Sequence, residues 1–261
     1  MIKTRLIPVL YIKNGLIVRS EDFSYHQNIG NVVNEASRYN EWGVDELIYI
    51  DISRKKYYDL RRDDHNIKSS NSIENIISSI AKVCFMPLTF GGGIRIIKDV
   101  DYRIRNGADK ITLNTGAFEN PELISSAAKK YGSQAVVISV DYKVIKGRPT
   151  VFTNWGQKNT KKDIFSWIQK CGQLGAGEIF LNSIDRDGKA NSYDIATIKK
   201  VTEITKLPII ACGGAGTMEH FVELAKKVNV SGIAAGNIFH FTELSYPKAK
   251  ILLKKEGLNF R

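Results

Sequence analysis

Short apolar runs alternate with longer amphipathic stretches about eight times along the chain. The apolar runs are continuous, which is typical of parallel strands buried on both faces. Between them, isoleucines recur at helical spacing, as at positions 73, 76, 77 and 80, and predict amphipathic helices. Eight strand–helix units in 261 residues match a (β/α)8 barrel, with a doubly wound open sheet as the alternative. The predicted strands cover residues 6–12, 46–52, 86–90, 110–114, 135–140, 178–184, 207–211 and 231–235.

The two halves of the chain resemble each other. Residues 87–93, PLTFGGG, are echoed by residues 208–214, PIIACGG, and residues 46–51, ELIYID, by residues 178–182, EIFLN. The offset is about half the chain each time, which indicates a barrel built from two similar four-strand halves. The repeat therefore favours an α/β TIM barrel with two-fold half-barrel pseudo-symmetry over the open sheet. No linker-like stretch separates the halves, so we expect residues 1–261 to form one domain.

Composition narrows the class of protein. The chain is 43% hydrophobic and 25% charged, as in ordinary globular proteins, and no apolar run is long enough to span a bilayer. Cys84, Cys171 and Cys212 are far apart and form no CxxC pair, and the four histidines show no ligand spacing. We therefore expect no disulfide framework, no metal site and no cofactor, and a cytoplasmic location.

The formal net charge of +11 is the unusual figure, because it leaves nucleic acid, a membrane surface or a small anion open as partners. The basic residues are spread along the chain without a nucleic-acid-binding signature. The densest basic run begins at Arg54 and is interrupted by Asp59, Asp63 and Asp64, so a solvated loop is its simplest interpretation. We expect a small-molecule anion, with no nucleic-acid and no membrane partner.

Two glycine clusters carry the first candidate chemistry. Gly91-Gly92-Gly93 ends the third predicted strand, and Gly213-Gly214-Ala215-Gly216 ends the seventh. Without a Cβ in the way, backbone N–H groups there can approach an anion. The fourth and eighth strands end in small polar pairs, Asn114-Thr115 and Gly236-Asn237. Two clusters at symmetry-related positions predict a ligand with a phosphate at each end, although glycines also serve in tight turns.

Carboxylates follow several strands at the end where barrel enzymes carry out catalysis. Asp51, Asp141, Asp185 and Asp187 hold such positions. Asp141 follows a wholly apolar strand, so a pKa suited to general acid–base catalysis is expected. For Asp185 and Arg186 we favour a self-paired turn.

Charged residues also stand at the opposite ends of the strands. Arg5, Glu46, Lys110 and Glu178 lie at strand starts, two positive and two negative. From the spacing alone, a stabilising ring of salt bridges is the preferred interpretation.

Several long strings make the chain resemble, along essentially its whole length, the cyclase subunit (HisF) family of imidazole glycerol phosphate synthase. The match is densest from Asn106 onward. In that family a barrel receives ammonia from a glutaminase partner (HisH) docked at its N-terminal face and uses it at the C-terminal face on a substrate with two phosphates. The strings are GADK at 107–110, GSQAVV at 132–137, KNT at 158–160, GAGE at 175–178, SIDRDG at 183–188, GGAG at 213–216 and FHF at 239–241.

The resemblance assigns roles to individual residues. It implies that Asp141 is catalytic, that Asp109 faces the glutaminase, and that the four residues at strand starts form the ammonia gate, which replaces the salt-bridge interpretation. It places one phosphate at Gly93, Asn114 and Thr115, and the other at Asp187, Gly188, Gly214, Gly236 and Asn237.

The substrate end departs from the family pattern. The family's first strand reads roughly CLDVKDG, whereas residues 9–15 here read VLYIKNG, so Tyr11 stands where a second catalytic aspartate is expected. We keep Tyr11 as a candidate catalytic position, although a phenol titrates near pH 10. Arg19 replaces the usual mobile-loop lysine and is assigned with Asp51 to the substrate loops, and the segment 54–70 is longer and more basic than usual.

These departures lie at the substrate end, whereas the gate residues match the family. The combination suggests the HisF-like paralogues of surface-polysaccharide loci. With a HisH-like glutaminase and an ATP-dependent amidotransferase, those proteins help convert an N-acetyl group of a nucleotide sugar into an acetamidino group. The sequence is thus interpreted as a HisF-like lyase or cyclase subunit that supplies ammonia for amidine formation. The alternatives are an authentic cyclase of histidine biosynthesis and a non-catalytic ammonia channel that activates the glutaminase.

Overall fold

Eight parallel strands close into a barrel in the computed structural model, which describes residues 3–21, 24–54, 58, 72–241 and 243–261. Each strand pairs with the next in parallel, and the last pairs with the first, for example at Arg5 and Gly232. The predicted (β/α)8 barrel and its eight strands are therefore confirmed. The barrel strands are β1 (Arg5–Lys13), β4 (Leu47–Asp51), β5 (Leu88–Gly91), β6 (Lys110–Leu113), β7 (Val136–Ile145), β10 (Glu178–Ser183), β11 (Ile209–Cys212) and β12 (Gly232–Ala235).

Helices lie between the barrel strands and pack on their outer side. Ser72 caps α2 by accepting a hydrogen bond from Asn75 N, and the predicted isoleucine stripe of this helix is buried. Asp163 caps α6 in the same way through Ser166 N. The helices are α1 (Val32–Glu41), α2 (Ile73–Ala81), α3 (Ile97–Arg105), α4 (Thr115–Glu119), α5 (Glu122–Tyr131), α6 (Ile164–Gln173), α7 (Ile195–Ile204), α8 (Met218–Lys227), α9 (Ile238–Phe241) and α10 (Ser245–Lys255).

Two antiparallel hairpins extend the first and fifth barrel strands. β2 (Leu16–Glu21) and β3 (Tyr25–Asn31) continue from β1, while β8 (Arg148–Thr153) and β9 (Lys158–Asp163) continue from β7. Strands one and five are related by the two-fold repeat, so the hairpins reproduce the half-barrel symmetry. These four strands were not predicted from the sequence.

The barrel encloses one apolar cluster and carries another on its outside. Ile7 and Val9 of β1 pack inside with residues such as Phe180 and Ile210. Their neighbour Leu10 belongs to the outer cluster, in which the strands pack against the helices. The alternation along β1 therefore places Arg5, Ile7, Val9 and Tyr11 on the inward side.

The basic segment noted in the sequence falls largely outside the residues that the structure describes. Most of the basic segment 54–70 lies outside the described residues, apart from Arg54 and Tyr58. Within the described part of the chain, no helix is both long enough and apolar enough to cross a membrane. In the same part, no group of three His, Cys, Asp or Glu side chains is arranged to hold a metal ion.

Candidate active site

Two cavities open at the carboxyl ends of the barrel strands, and Tyr11 borders both. The first cavity has a volume of about 320 Å³ and the second about 290 Å³. The first is lined by the predicted phosphate residues Gly93, Asn114 and Thr115 together with Asp51 and Asp141. The second is lined by Arg19 of the predicted substrate loops and by the other predicted phosphate set, namely Asp187, Gly188, Gly214, Gly236 and Asn237. The structure thus separates the two sets of candidate residues as the sequence predicts, and their binding role stays a prediction.

The glycine turns that border the cavities have no room for a side chain. Gly92 has a φ of +95°, and a Cβ there would lie 2.0 Å from the backbone oxygen of Asp51. Gly214 has a φ of +104°, and its Cβ would lie 2.0 Å from Ser192 O. The buried Arg103 fixes the first turn by donating to Gly92 O at 2.8 Å. These backbones therefore need glycine for their conformation and for close packing.

Asp141 lies between three side-chain donors at the end of β7. Its Oδ1 accepts from Ser139 Oγ at 3.1 Å and from Asn182 Nδ2 at 3.4 Å, and its Oδ2 accepts from Asn114 Nδ2 at 3.1 Å. Burial raises the pKa of Asp141 to about 6, against the opposing effect of the hydrogen bonds from Ser139 and Asn182. A carboxyl group with this pKa exchanges protons near neutral pH, as general acid–base catalysis requires.

Asn114 makes hydrogen bonds within the protein in addition to its predicted role in binding phosphate. Its amide nitrogen donates to Asp141 and to the Ser139 carbonyl at 3.1 Å, and its Oδ1 accepts from Thr115 Oγ1 at 3.0 Å. Thr115 Oγ1 also accepts from Asn154 N at 3.0 Å. The first predicted phosphate set therefore also orients the candidate catalytic carboxylate.

Tyr11 is buried between Asp141 and Asp187. Burial raises the pKa of its phenol well above the ordinary value, and the nearby charges of Asp187 and Asp141 raise it further, whereas a hydrogen bond with Asn182 lowers it. The phenol is therefore neutral at physiological pH. It can donate a hydrogen bond, but it cannot take over the general-base role of an aspartate.

The two residues assigned to substrate loops are each held by a partner. Asp51 accepts from Tyr58 Oη and from Ser53 N, both at 2.9 Å, and burial raises its pKa despite these bonds. Arg19, on β2, pairs with Glu21 at 3.3 Å. Both side chains line a cavity, Asp51 the first and Arg19 the second.

The predicted pairing of Asp185 with Arg186 is wrong. Asp185 Oδ2 accepts from Val144 N at 2.7 Å, which ties the loop after β10 to β7. Arg186 instead donates to the carbonyl oxygens of Asn191 and Ser192 at 2.9 and 3.1 Å. Backbone groups nearby satisfy both charged side chains, so the turn needs no pair of its own.

The four charged residues at strand starts form a closed ring at the opposite end of the barrel. Arg5 donates to Glu46 and to Glu178, and Lys110 Nζ lies 3.1 Å from an oxygen of each glutamate. Glu46 also accepts from Thr89 Oγ1 at 2.9 Å. Burial tends to lower the pKa of Arg5, but the two glutamates raise it above the ordinary value. The geometry agrees with a salt-bridge ring, and the gate role that the resemblance adds stays a prediction.

Comparison with known proteins assigns the family. A family model described as "Histidine biosynthesis protein" matches residues 5–245. The chain is 38% identical over 263 residues to "Imidazole glycerol phosphate synthase subunit HisF" from Caulobacter vibrioides, covering 100% of this chain and 97% of the relative. The chain belongs to the HisF family. HisF relatives of the same name from Saccharolobus solfataricus and Streptococcus mutans are 38% and 36% identical, with full coverage of both chains.

HisF membership supports the broad resemblance noted in the sequence, and the narrower polysaccharide-locus branch stays a prediction. Sequence reasoning missed three residues of this HisF-family site: Ser139 and Asn182, which bind Asp141, and Arg103, which holds the glycine turn. The register of the parallel strands could have indicated one of these residues, Asn182. Asn182 pairs directly with Asp141 in the parallel ladder, so a polar residue at that point in β10 faces the same site.

Proposed function

We propose that this chain is the ammonia-accepting synthase subunit of a glutamine amidotransferase pair. The observation that carries the proposal is the difference between the two ends of the barrel. One end is closed by a ring of two cations and two glutamates, and the other holds two glycine-bordered cavities, the first of which is lined by Asp141. The relatives are named as a subunit of a synthase, which supports a partner chain.

The partner we propose is a HisH-like glutaminase, forming a heterodimer at the end of the barrel that carries the charged ring. Asp109 is exposed there and accepts a hydrogen bond from Leu88 N at 2.8 Å, which fixes its position beside Lys110. The inward side of β1 runs from Arg5 to Tyr11, about 20 Å at the usual strand rise. Ammonia is small and neutral, so it crosses an apolar barrel interior at far lower cost in desolvation than ammonium.

Asp141 is the residue we propose for proton transfer at the substrate end. When ammonia attacks an electrophilic carbon, the new C–N bond leaves the nitrogen positively charged. The Asp141 carboxylate, ionised above a pH of about 6, then accepts a proton from that nitrogen. The three donors around Asp141 hold its oxygens in one orientation for this transfer.

For the substrate, we propose an anionic nucleotide sugar whose N-acetyl group becomes an acetamidino group in surface-polysaccharide biosynthesis. Tyr11 supports this choice, because its neutral phenol replaces the second carboxylate that the family's cyclisation is expected to use. The N-acetyl oxygen must leave when the amidine forms, so it needs prior activation. An ATP-dependent amidotransferase is therefore the further partner that we propose.

The second candidate is the cyclase (lyase) subunit of histidine biosynthesis. The observation that favours it is the full-length similarity to relatives that carry the cyclase-subunit name. In this case Asp187 and Asp51 supply the remaining carboxylates at the cavities. In a third arrangement, the barrel only channels ammonia and activates the glutaminase. Like both candidates, it requires binding of the glutaminase and passage of ammonia.

The deciding experiment mixes the purified chain with an ammonium salt and the histidine-pathway ribonucleotide, and separately with the glutaminase and glutamine. Stimulated glutamine hydrolysis without turnover of the ribonucleotide supports the amidotransferase role with a different substrate. Normal turnover that Tyr11→Phe abolishes supports the cyclase. An absence of association with the glutaminase at micromolar concentration contradicts the shared proposal. Neighbouring genes offer a rapid check, with histidine genes favouring the cyclase and sugar-modifying genes the amidotransferase.

A further inference from the structure

Three basic side chains line the first cavity on elements other than β5, the strand that leads into its glycine turn. Lys13 ends β1, His26 lies on β3, and Arg54 follows β4. The glycine turn, by contrast, follows β5. Lys13 Nζ donates to Nδ1 of His26 at 3.4 Å, so His26 accepts at this nitrogen. We refer to Lys13 and Arg54, together with His26, whose imidazole is neutral at physiological pH, as the cationic rim.

Neither cation of the rim has an ion-pair partner within the described part of the chain. There, neither Lys13 nor Arg54 has a carboxylate oxygen within 4.0 Å. Burial lowers the pKa of His26, and the charges of Lys13 and Arg54 lower it further. Arg95, which also lines the cavity, is by contrast paired with Glu119. Asp51 and Asp141 line the same cavity but do not pair with Lys13 or Arg54, so both cations can bind an anion at the cavity mouth.

An exposed tryptophan lies next to the rim. Trp155 sits in the β8–β9 turn with a φ of +57°, and the guanidinium of Arg54 lies 5.8 Å from its ring centroid. The preceding residue, Asn154, is fixed by its backbone bond to Thr115 Oγ1 at 3.0 Å. Trp155 is 38% exposed and borders the cavity, so its indole ring offers a flat face to a planar group.

The size of the first cavity adds a further constraint. A volume of about 320 Å³ lies at the low end of the range for ligand pockets, roughly 300–1,000 Å³. A sugar with its reacting group can enter such a space, but the rest of a nucleotide sugar must lie at the rim. The rim and Trp155 offer the cations and the aromatic face that a nucleoside diphosphate requires.

We propose that the cationic rim is a diphosphate subsite that recognises a nucleoside diphosphate, with Trp155 as the platform for its base. This inference rests on the proposed function, because it places the attached sugar in the cavity that contains Asp141. It adds a specificity site that is separate from the two glycine turns. Selection for a diphosphate distinguishes a nucleotide-sugar substrate from one with two separate terminal phosphates.

The test measures binding of uridine and guanosine mono- and diphosphates by isothermal titration calorimetry. For at least one base, the wild-type chain is expected to bind the diphosphate about tenfold or more tighter than the monophosphate. Arg54→Gln is expected to weaken diphosphate binding by a similar factor, and His26→Gln, which removes a neutral imidazole, by a smaller one. Both variants are expected to leave monophosphate binding nearly unchanged. Trp155→Ala is expected to weaken both ligands equally, because it removes the base contact.

Arg148→Gln is the matched control, since it removes a cation from the same face of the barrel without lining either cavity. Circular dichroism checks that each variant is folded. Equal affinity for mono- and diphosphates of both bases, or unchanged diphosphate binding in Arg54→Gln and His26→Gln, overturns the proposal. Stimulation of the glutaminase is measured in parallel. If the wild-type chain does not stimulate the glutaminase, the proposed function is contradicted, while a measured preference for the diphosphate still supports the subsite.

Discussion

Replacing Asp141 by asparagine should stabilise the protein at neutral pH, although Asp141 is the candidate catalytic residue. Burial raises the pKa of this carboxyl to about 6, so the folded state disfavours its charged form. The unfolded chain releases the proton near its ordinary pKa of 3.8. Wild-type stability therefore falls as pH rises between about 4 and 6, and the full penalty persists above that range. An amide has no charge and carries no such penalty.

The magnitude follows from the pKa and the hydrogen bonds. A rise from 3.8 to about 6 corresponds to roughly 3 kcal/mol, an upper limit because the carboxyl is partly open to the cavity. Against this gain, an amide NH₂ in place of Oδ2 faces the Asn114 donor and loses one hydrogen bond, about 1 kcal/mol. We expect a net gain of about 2 kcal/mol at pH 7.5, and a slight loss below a pH of about 4.

Urea unfolding of the wild type and of Asp141→Asn between pH 4 and 8 measures this difference. Near pH 7.5 the melting temperature of the variant should also rise by about 4–8 °C. Asp101→Asn is the matched control: Asp101 bonds to Lys130 and Tyr131, which lower its pKa, so the variant should gain no stability over this pH range. A difference for Asp141→Asn that is constant across the pH range would refute the reasoning, and so would a loss of stability at pH 7.5.

Three further changes have defined outcomes. Glu46→Gln removes a buried carboxylate from the charged ring and should cost about 3–5 kcal/mol of unfolding free energy, measured by urea denaturation. Gly92→Ala should destabilise by more than about 2 kcal/mol, because its Cβ would overlap a backbone oxygen and its φ is positive. Tyr11→Phe should leave the near-ultraviolet phenolate titration up to a pH of about 11 unchanged, because the pKa of Tyr11 lies well above 10.

The first two of these changes have a matched control in the chain. Glu119→Gln breaks a pair with both side chains half exposed and should cost less than about 1 kcal/mol, so an equal effect of Glu46→Gln contradicts the buried-ring argument. Gly43→Ala has a positive φ but no atom within 4 Å of its Cβ, and isolates the conformational part, about 1–2 kcal/mol. If Tyr11→Phe shows one titrating phenol fewer than the wild type, Tyr11 ionises in the ordinary range and the argument is contradicted.

The barrel strands were predictable because burial on both faces leaves continuous apolar runs. The isoleucine stripe likewise revealed the buried face of α2, in which Ile76, Ile77 and Ile80 are buried. The division of the glycine and polar residues between two cavities followed from the repeat, because strand ends of a closed barrel meet at one rim.

The hairpins escaped prediction for physical reasons. β9 is polar and almost wholly exposed, and β3 has no buried residue. Neither strand has a periodic apolar pattern. Their turns did carry a signal, since Asn14-Gly15 and Lys146-Gly147 both adopt positive φ, as a tight hairpin turn requires. Asp185 bonds to a backbone group 41 residues away, which local sequence could not indicate. Arg186 bonds to backbone carbonyls five and six residues further along the chain.

The position of Tyr11 between the cavities has one more consequence. A single phenol ring forms the wall that the two compartments share. A molecule that fills both must arch over this ring, so the spacer between its two ends needs a minimum length. We therefore expect a smaller side chain at position 11 to join the two cavities and to admit ligands with a shorter spacer between their ends.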